Sequence, residues 1–319
     1  MARVLVTGAA GFVGSNLVSA LNQQGHEVVA MSRMTIETAS DLVQPCQADF
    51  TSLDASAFRR HRVESVVHCA AKVHAMHEKP GQGLGEYQRV NVDGTMKLAR
   101  LAAAHGVRRF VFVSSVKVNG DETVPEQPFS PLDAPQPSDA YAISKWTAEQ
   151  QLMELARNGV MEVTIIRPVL VYGPGVKANF LTMLRWLDKG IPLPLGAIDN
   201  RRSLVSVNNL VDFISTCLFH PAAAGQTFMV SDGEDLSTTE LLKRLARFLE
   251  RPIRLIPVPR GLVEVGATLL GKGALSQRVC RSLQVDISKN LDITGWRPPV
   301  AVNDALQATA IDFSRSKES

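Results

Sequence analysis

The chain has 319 residues, 45% apolar and 20% charged, with 34 basic against 31 acidic side chains. A net charge of +3 gives no reason to expect nucleic acid or a membrane as the main partner, and the length suggests two domains or one with a substantial appendage. The four cysteines (Cys46, Cys69, Cys217, Cys280) lack paired spacing, so neither a disulfide framework nor a zinc site is indicated and a reducing, cytoplasmic compartment fits best.

In chain order, short β-branched runs alternate with helical patterns: strand VLVTG (4–8), helix SNLVSALNQQG (15–25), strand HEVVAM (26–31), a helix around Leu53 to His61, and strand SVVHCAA (65–71). The series continues through a helix near Asn91 to His105, strand RRFVFVSS (108–115), a helix from Tyr141 to about Arg157, and strand VTIIRPVLVYG (163–173). Continuous apolar strands joined by helices predict an α/β fold, a doubly wound parallel sheet of Rossmann type covered on both faces. From about Gly173 the text becomes proline-rich, with helices near Phe180 to Lys189, Val207 to Phe219 and Thr238 to Glu250, and reads as a smaller C-terminal lobe. The boundary is placed at 1–172 and 173–319, with the chain free to cross back between the two. A loop over 120–138 carries five prolines and is expected to overhang the site. The stretch GLVEVGATLLGKGAL (261–275), broken by Glu264 and Lys272, is too short to span a bilayer and reads as a buried or half-buried helix.

TGAAGFVGSN (7–16) places Gly8, Gly11 and Gly14 between a strand and a helix. Glycine there allows a tight turn, lets the backbone approach a pyrophosphate, and leaves the amides around Phe12 and Val13 facing it. In this frame the second strand should close on an acidic residue that holds the adenosine ribose, yet Ser32 and Arg33 stand there. Serine repels nothing and arginine can pair with a 2′-phosphate, so the corner accepts NADP(H) as well as NAD(H), unless Arg33 is a solvated loop charge. Asp49, followed by Phe50, either contacts the adenine or caps the helix ahead of Leu53. His68 and His74 invite a metal reading, but no third ligand has suitable spacing and no metal is expected.

YAISK (141–145) sets Tyr141 and Lys145 one helical turn apart. A neighbouring ammonium would stabilise phenolate and make Tyr141 a usable acid/base, while strand-end Ser114 or Ser115 offers a hydroxyl to the same substrate oxygen.

Taken together, TGAAGFVG, Asp49, VVHCAA, Asn91 in VNVDGT, SSVKVNG, YAISK, RPVLVYGP and TGWRPP resemble, in order and over nearly the whole chain, an extended short-chain dehydrogenase/reductase of the nucleotide-sugar epimerase, dehydratase and ketoreductase group. The resemblance implies a catalytic set of Ser115, Tyr141 and Lys145. It implies cofactor contacts at Gly8 to Gly14, the 32–33 corner, Asp49, Phe50, Ala70, Ala71, Asn91 and Pro168, with Lys145 on the nicotinamide ribose. Substrate contacts are implied at Ser115, Lys117, Tyr141, Asn179 and Arg202, the last two on the diphosphate of a UDP-sugar, and a homodimer through the Asn91 and Tyr141 helices. Dehydratases of the group carry an Asp-Glu pair after the serine, and epimerases acting at C3 and C5 a cysteine; here Val116 and Lys117 follow. The expected activity is therefore NAD(P)H-dependent reduction of a UDP-4-keto-6-deoxy-hexosamine, a 4-ketoreductase of surface polysaccharide synthesis. A UDP-hexose 4-epimerase that retains its NAD is the alternative, and a non-catalytic nucleotide sensor of the same fold a second one.

Overall fold

The computed structural model describes residues 1–73, 84–124, 126–269, 271 and 273–318. Among the described residues, ten strands run in chain order: β1 (Arg3–Thr7), β2 (Glu27–Ser32), β3 (Val43–Gln47), β4 (Ser65–His68), β5 (Arg109–Val113), β6 (Glu162–Pro168), β7 (Leu170–Tyr172), β8 (Arg202–Ser206), β9 (Thr227–Val230) and β10 (Asp235–Leu236). Seven form one parallel sheet ordered β3-β2-β1-β4-β5-β6-β9; the other three form a small sheet ordered β10-β8-β7. The strand order reverses between β1 and β4, and the crevice at the carboxyl ends there is where such sheets bind ligands.

Alternate strand residues feed two cores, which is why the strands read as unbroken apolar runs. Val4, Val6, Val28, Ala30 and Val67 meet Leu17 and Leu21 of the helix Phe12–Gln23 and Leu210, Phe213 and Ile214 of the helix Val207–Phe219. On the other face Leu5, Val29, Met31, Phe110 and Phe112 meet Leu98 and Ala99 of the helix Thr95–Ala104 and Ala148 and Leu152 of the helix Ala140–Arg157. A third core, with Tyr172, Phe180, Leu184, Leu242, Leu245 and Leu306, fills the second lobe.

Several elements depart from the sequence reading: the strand read over 163–173 divides into β6 and β7 in different sheets, and β8, β9, β10 and the helices Ser288–Thr294 and Val302–Glu318 were not expected. β3 was not expected: it buries only Val43 and contains Pro45, which an edge strand tolerates. The helix read from Asn91 begins at Leu84 and passes through a π-helical turn, Gln88–Gly94, that holds Asn91. The 261–275 stretch forms two helices, Arg260–Leu269 and Gly273–Cys280, and no residue of the first is buried. Its apolar side faces out because only Val263 packs on the lobe core.

Expected to overhang the site, the described residues of the proline-rich loop instead tie to the segment 281–284. Thr123 N–H donates to the Ser282 carbonyl, Phe129 N–H donates to that of Gln284, and Arg281 pairs with Glu122 at 2.8 Å.

Candidate active site

The glycine turn after β1 fits a dinucleotide. Gly8 has φ +69°, and a Cβ there would lie 2.9 Å from the Ala70 amide nitrogen; on Gly14 it would lie 2.1 Å from the Gly8 carbonyl oxygen. The first contact keeps β4 and the Ala70–Ala71 backbone against the turn, and the second seats the helix on it. That helix begins at Gly11 with no side-chain cap, so the first-turn amides at Phe12, Val13 and Gly14 point at the crevice, where a pyrophosphate would satisfy them.

Ser32 closes β2 half-buried, its Oγ accepting from Met34 N–H at 3.1 Å, and Arg33 is exposed beside it. Asp49 accepts from the Thr51 amide at 2.9 Å, and that bond together with Arg33 and Arg89 holds its carboxyl below the usual carboxylate range. Arg33, Arg89 and Asp49 therefore share one corner, and the local turn at Asp49 accounts for one of its oxygens. Phe50 rests edge-on against His68, ring centroids 4.8 Å apart. His68 is fully buried, with its ring nitrogens 2.6 Å from Thr7 Oγ1 and 2.9 Å from Thr95 Oγ1. Desolvation keeps it neutral, and both nitrogens are engaged with hydroxyls, so it is a brace between β4, β1 and the helix Thr95–Ala104. His74 lies outside the described residues.

Tyr141, in the first turn of the helix Ala140–Arg157, hydrogen-bonds Ser115. Ser114 and Ser115 are thereby told apart: Ser114 Oγ donates to Glu149 in the core, and Ser115 faces the crevice. Burial pushes the Tyr141 phenol up to about 12, against the Ser115 bond, with Asp139 and Tyr87 adding to the rise. Lys145 donates to the Val113 carbonyl at 2.7 Å and lies 4.0 Å over the Phe112 ring. Burial brings the Lys145 ammonium down to about 7, with Glu149 one turn further on opposing the shift. The site thus presents a protonated phenol and an amine easily neutralised. Asn91 accepts from the Lys72 amide at 2.8 Å and donates to Ser144 Oγ at 2.9 Å, tying the π-helical turn to the helix that carries Tyr141 and Lys145.

Behind the site lies a network not legible in the sequence. Arg167 forms a fork on Glu149, with nitrogen–oxygen distances of 2.5 to 3.2 Å, and donates to Asn119 Oδ1 at 2.8 Å; Glu149 and Arg167 are 1% and 3% exposed. Asn119 also donates to the Ser130 carbonyl. Lys117 pairs with Asp139, whose other oxygen caps the catalytic helix at the Ala142 amide, and with Asp121 at 3.4 Å.

Across the crevice, Asn179 is half-buried in the first turn of the helix Ala178–Asp188, next to Ala178 at φ +54°, a backbone region unfavourable for a side chain with Cβ. Arg202 opens β8 and donates to the Arg281 carbonyl at 3.0 Å. Arg281 was missed from sequence; it stands 79 positions away and its buried Nε has no partner. Pro168 ends β6, buried, opposite Val230.

Lys145 makes stability depend on pH. Between about 7 and 10.5 the unfolded chain keeps a proton on Lys145 that the folded chain has shed, so stability rises with pH, by at most about 1.4 kcal/mol per unit. Above about 10 the unfolded tyrosine ionises before buried Tyr141 does, and stability turns down. Urea titrations of dinucleotide-free protein at pH 7, 8 and 9 should show the rise, and Lys145→Met should flatten it; an unchanged slope in the variant would assign the rise elsewhere.

A glycine turn on a parallel sheet, with Ser115, Tyr141 and Lys145 near the carboxyl edge, is the arrangement of a dinucleotide-dependent enzyme of the short-chain type. Residues 4–231 match the model of the NAD dependent epimerase/dehydratase family, and the chain belongs to that family. It is 44% identical to a UDP-glucose 4-epimerase of Vibrio cholerae over 97% of this chain and 95% of the relative. A UDP-glucose 4-epimerase of Thermotoga maritima, solved with UDP-glucose, superposes with a TM-score of 0.79 at 22% identity, covering 99% of both chains. A UDP-glucuronic acid 4-epimerase from Bacillus cereus, solved with NAD, gives 0.80 at 20% identity over 98% of this chain and 99% of its own.

Proposed function

We propose that the protein inverts C4 of a UDP-hexose or UDP-N-acetylhexosamine, oxidising the C4 hydroxyl to a ketone and reducing it from the other face. The observation that carries this reading is the Tyr141–Ser115 hydrogen bond, which supplies one proton-transfer pair at one oxygen. The next position, Val116, is buried and apolar, with no second acid or base for elimination. The 44% identity to the Vibrio cholerae enzyme supports the same chemistry. A bound nicotinamide dinucleotide supplies hydride acceptance and return. Tyr141 takes the C4 hydroxyl proton and gives it back, Ser115 holds that oxygen, and Lys145 carries positive charge to the phenol when protonated. Asn179 and Arg202 are assigned to the diphosphate, and Arg281, with its free Nε, joins them.

The 4-ketoreductase reading, first from sequence alone, becomes the second, because the relatives named above are epimerases. One observation still favours it: β2 ends in Ser32 and Arg33, with no carboxylate to grip the ribose of a retained NAD. One experiment separates the two. The purified protein is assayed for bound dinucleotide, then incubated with UDP-glucose and UDP-N-acetylglucosamine without added cofactor. Retained NAD and interconversion of C4 epimers are expected. Dinucleotide-free protein that consumes NADPH on a UDP-4-keto-6-deoxy-hexosamine, and loses that ability in Arg33→Ala, would replace the epimerase with the reductase.

A further inference from the structure

The corner at the end of β2 is set by the glycine turn beside it. The Ala9 amide of that turn donates to the Met31 carbonyl at 3.1 Å, so the next residues, Ser32 and Arg33, stand where the adenosine ribose of a dinucleotide on the turn would lie. Two bonds fasten this end of the strand to β3: Ala48 N–H donates to the Ser32 carbonyl at 2.9 Å, and the Gln47 side-chain amide donates to the Arg33 carbonyl at 3.3 Å. The Arg33 backbone is thereby held while its side chain stays exposed. A second guanidinium comes from another element. Arg89 is exposed in the π-helical turn Gln88–Gly94, and that turn is pressed on the segment after β3: a Cβ on Gly94 would lie 2.8 Å from Thr51 Cγ2 and 3.0 Å from the Phe50 ring.

Both arginines act on one carboxylate. The Thr51 hydrogen bonds do most to hold the Asp49 carboxyl down, and Arg33 and Arg89 add to them. Asp49 pairs with neither: its Oδ1 accepts from the Thr51 amide and the Thr51 hydroxyl at 2.9 and 2.8 Å, and among the described residues neither arginine forms an ion pair. Ser32 Oγ accepts from Met34 N–H, which leaves the hydroxyl hydrogen to donate. The corner thus offers two guanidinium groups and a hydroxyl donor where an NAD site offers a carboxylate to the ribose diol. A phosphate on the 2′ oxygen carries close to two negative charges at neutral pH and three acceptor oxygens, which guanidinium forks match. We propose that Arg33 and Arg89 together clamp the 2′-phosphate of NADP(H), so that this corner grips NADP(H) more tightly than NAD(H). Arg89 belongs to no motif, and only the π-helical turn brings it to the site of Arg33. The clamp rests on the dinucleotide reading of the glycine turn, which the epimerase and the reductase share. It governs how tightly each cofactor is held, while the one a purified sample retains depends also on the supply of each.

The test is calorimetric titration of dinucleotide-free protein with NADP+ and with NAD+, and with adenosine 2′,5′-bisphosphate against adenosine 5′-monophosphate. Wild type should bind NADP+ roughly tenfold or more tighter than NAD+, the fragments should follow the same order, and added salt should narrow the gap. Arg33→Ala and Arg89→Ala should each weaken NADP+ binding roughly tenfold and leave NAD+ within about twofold, and the double variant should lose the preference. Both side chains are exposed, so the variants should unfold at the wild-type temperature, and their retained NAD+ affinity reports an intact glycine turn. Wild type that binds NAD+ as tightly as NADP+ would overturn the proposal. So would an Arg89→Ala variant that keeps the full preference, which makes Arg89 a solvated charge, or one that loses both cofactors equally, which makes it a brace. Titration reads no turnover, so a failed clamp leaves the epimerase reading standing, and a protein that prefers NADP+ yet exchanges no C4 epimers fails that reading alone.

Discussion

Tyr141→Phe should lower turnover by about a thousandfold or more while leaving dinucleotide and UDP-sugar affinity within a few-fold of wild type. The substitution removes one oxygen from a half-buried ring that is otherwise held by packing, with Tyr87 edge-on at 6.4 Å, so little binding surface is lost. What is lost is the hydroxyl that exchanges a proton with the substrate oxygen beside Ser115. Burial pushes the phenol up to about 12, so for Tyr141 to take the C4 proton a bound nicotinamide and a protonated Lys145 would have to favour the phenolate. Steady-state rates and calorimetric titrations on the variant decide the matter: a loss below about tenfold would remove Tyr141 from the acid's role.

Glu149→Gln should cost on the order of 3 to 5 kcal/mol and lower the melting temperature by roughly 10 °C. The change is almost isosteric, but it leaves the Arg167 guanidinium, 3% exposed, without its counter-charge. It also withdraws the carboxylate that opposes the fall in the Lys145 ammonium, so Lys145 should lose its proton at still lower pH. Replacing both partners with apolar residues, Glu149→Leu with Arg167→Met, should recover much of the stability because no buried charge remains unpaired. Calorimetry on the single and double variants tests this, and a single variant that melts within 2 °C of wild type would show that the pair contributes little.

The parts of the molecule legible in its sequence are those whose logic is local. A glycine between strand and helix, a tyrosine and lysine four apart, and apolar runs covered on both sides each declare themselves within a dozen residues. Gly8 does take the left-handed conformation that its turn demands, and the helix Val207–Phe219 ends where its pattern does. The rest depends on crossings. Glu149 and Arg167 read as unremarkable charges on a helix and a strand, and only the register that sets Val113 beside Ile166 brings Ser114, Glu149 and Arg167 into one cluster. β3 was hidden because a short edge strand with one buried residue and a proline carries almost no pattern. Arg281 was hidden by distance along the chain, and the choice between Ser114 and Ser115 by a rotation of one residue at the strand end.

β9 belongs to the large sheet, yet the chain first leaves β6 to build much of the second lobe. This ordering has a consequence for how the protein is made. The pairing of Pro168 with Val230 waits for about 60 further residues, on the order of 3 to 12 seconds at ribosomal rates of 5–20 residues per second. Throughout that interval every catalytic residue has emerged, while the edge of β6 lacks its neighbour and Ile165 and Ile166 are open to pairing with another nascent chain. Birth of the enzyme is therefore most hazardous after its chemistry has been written and before its last parallel strand arrives, and substitutions that slow the closing of β9 should first appear as lost yield in the cell rather than as lost activity in the molecules that survive.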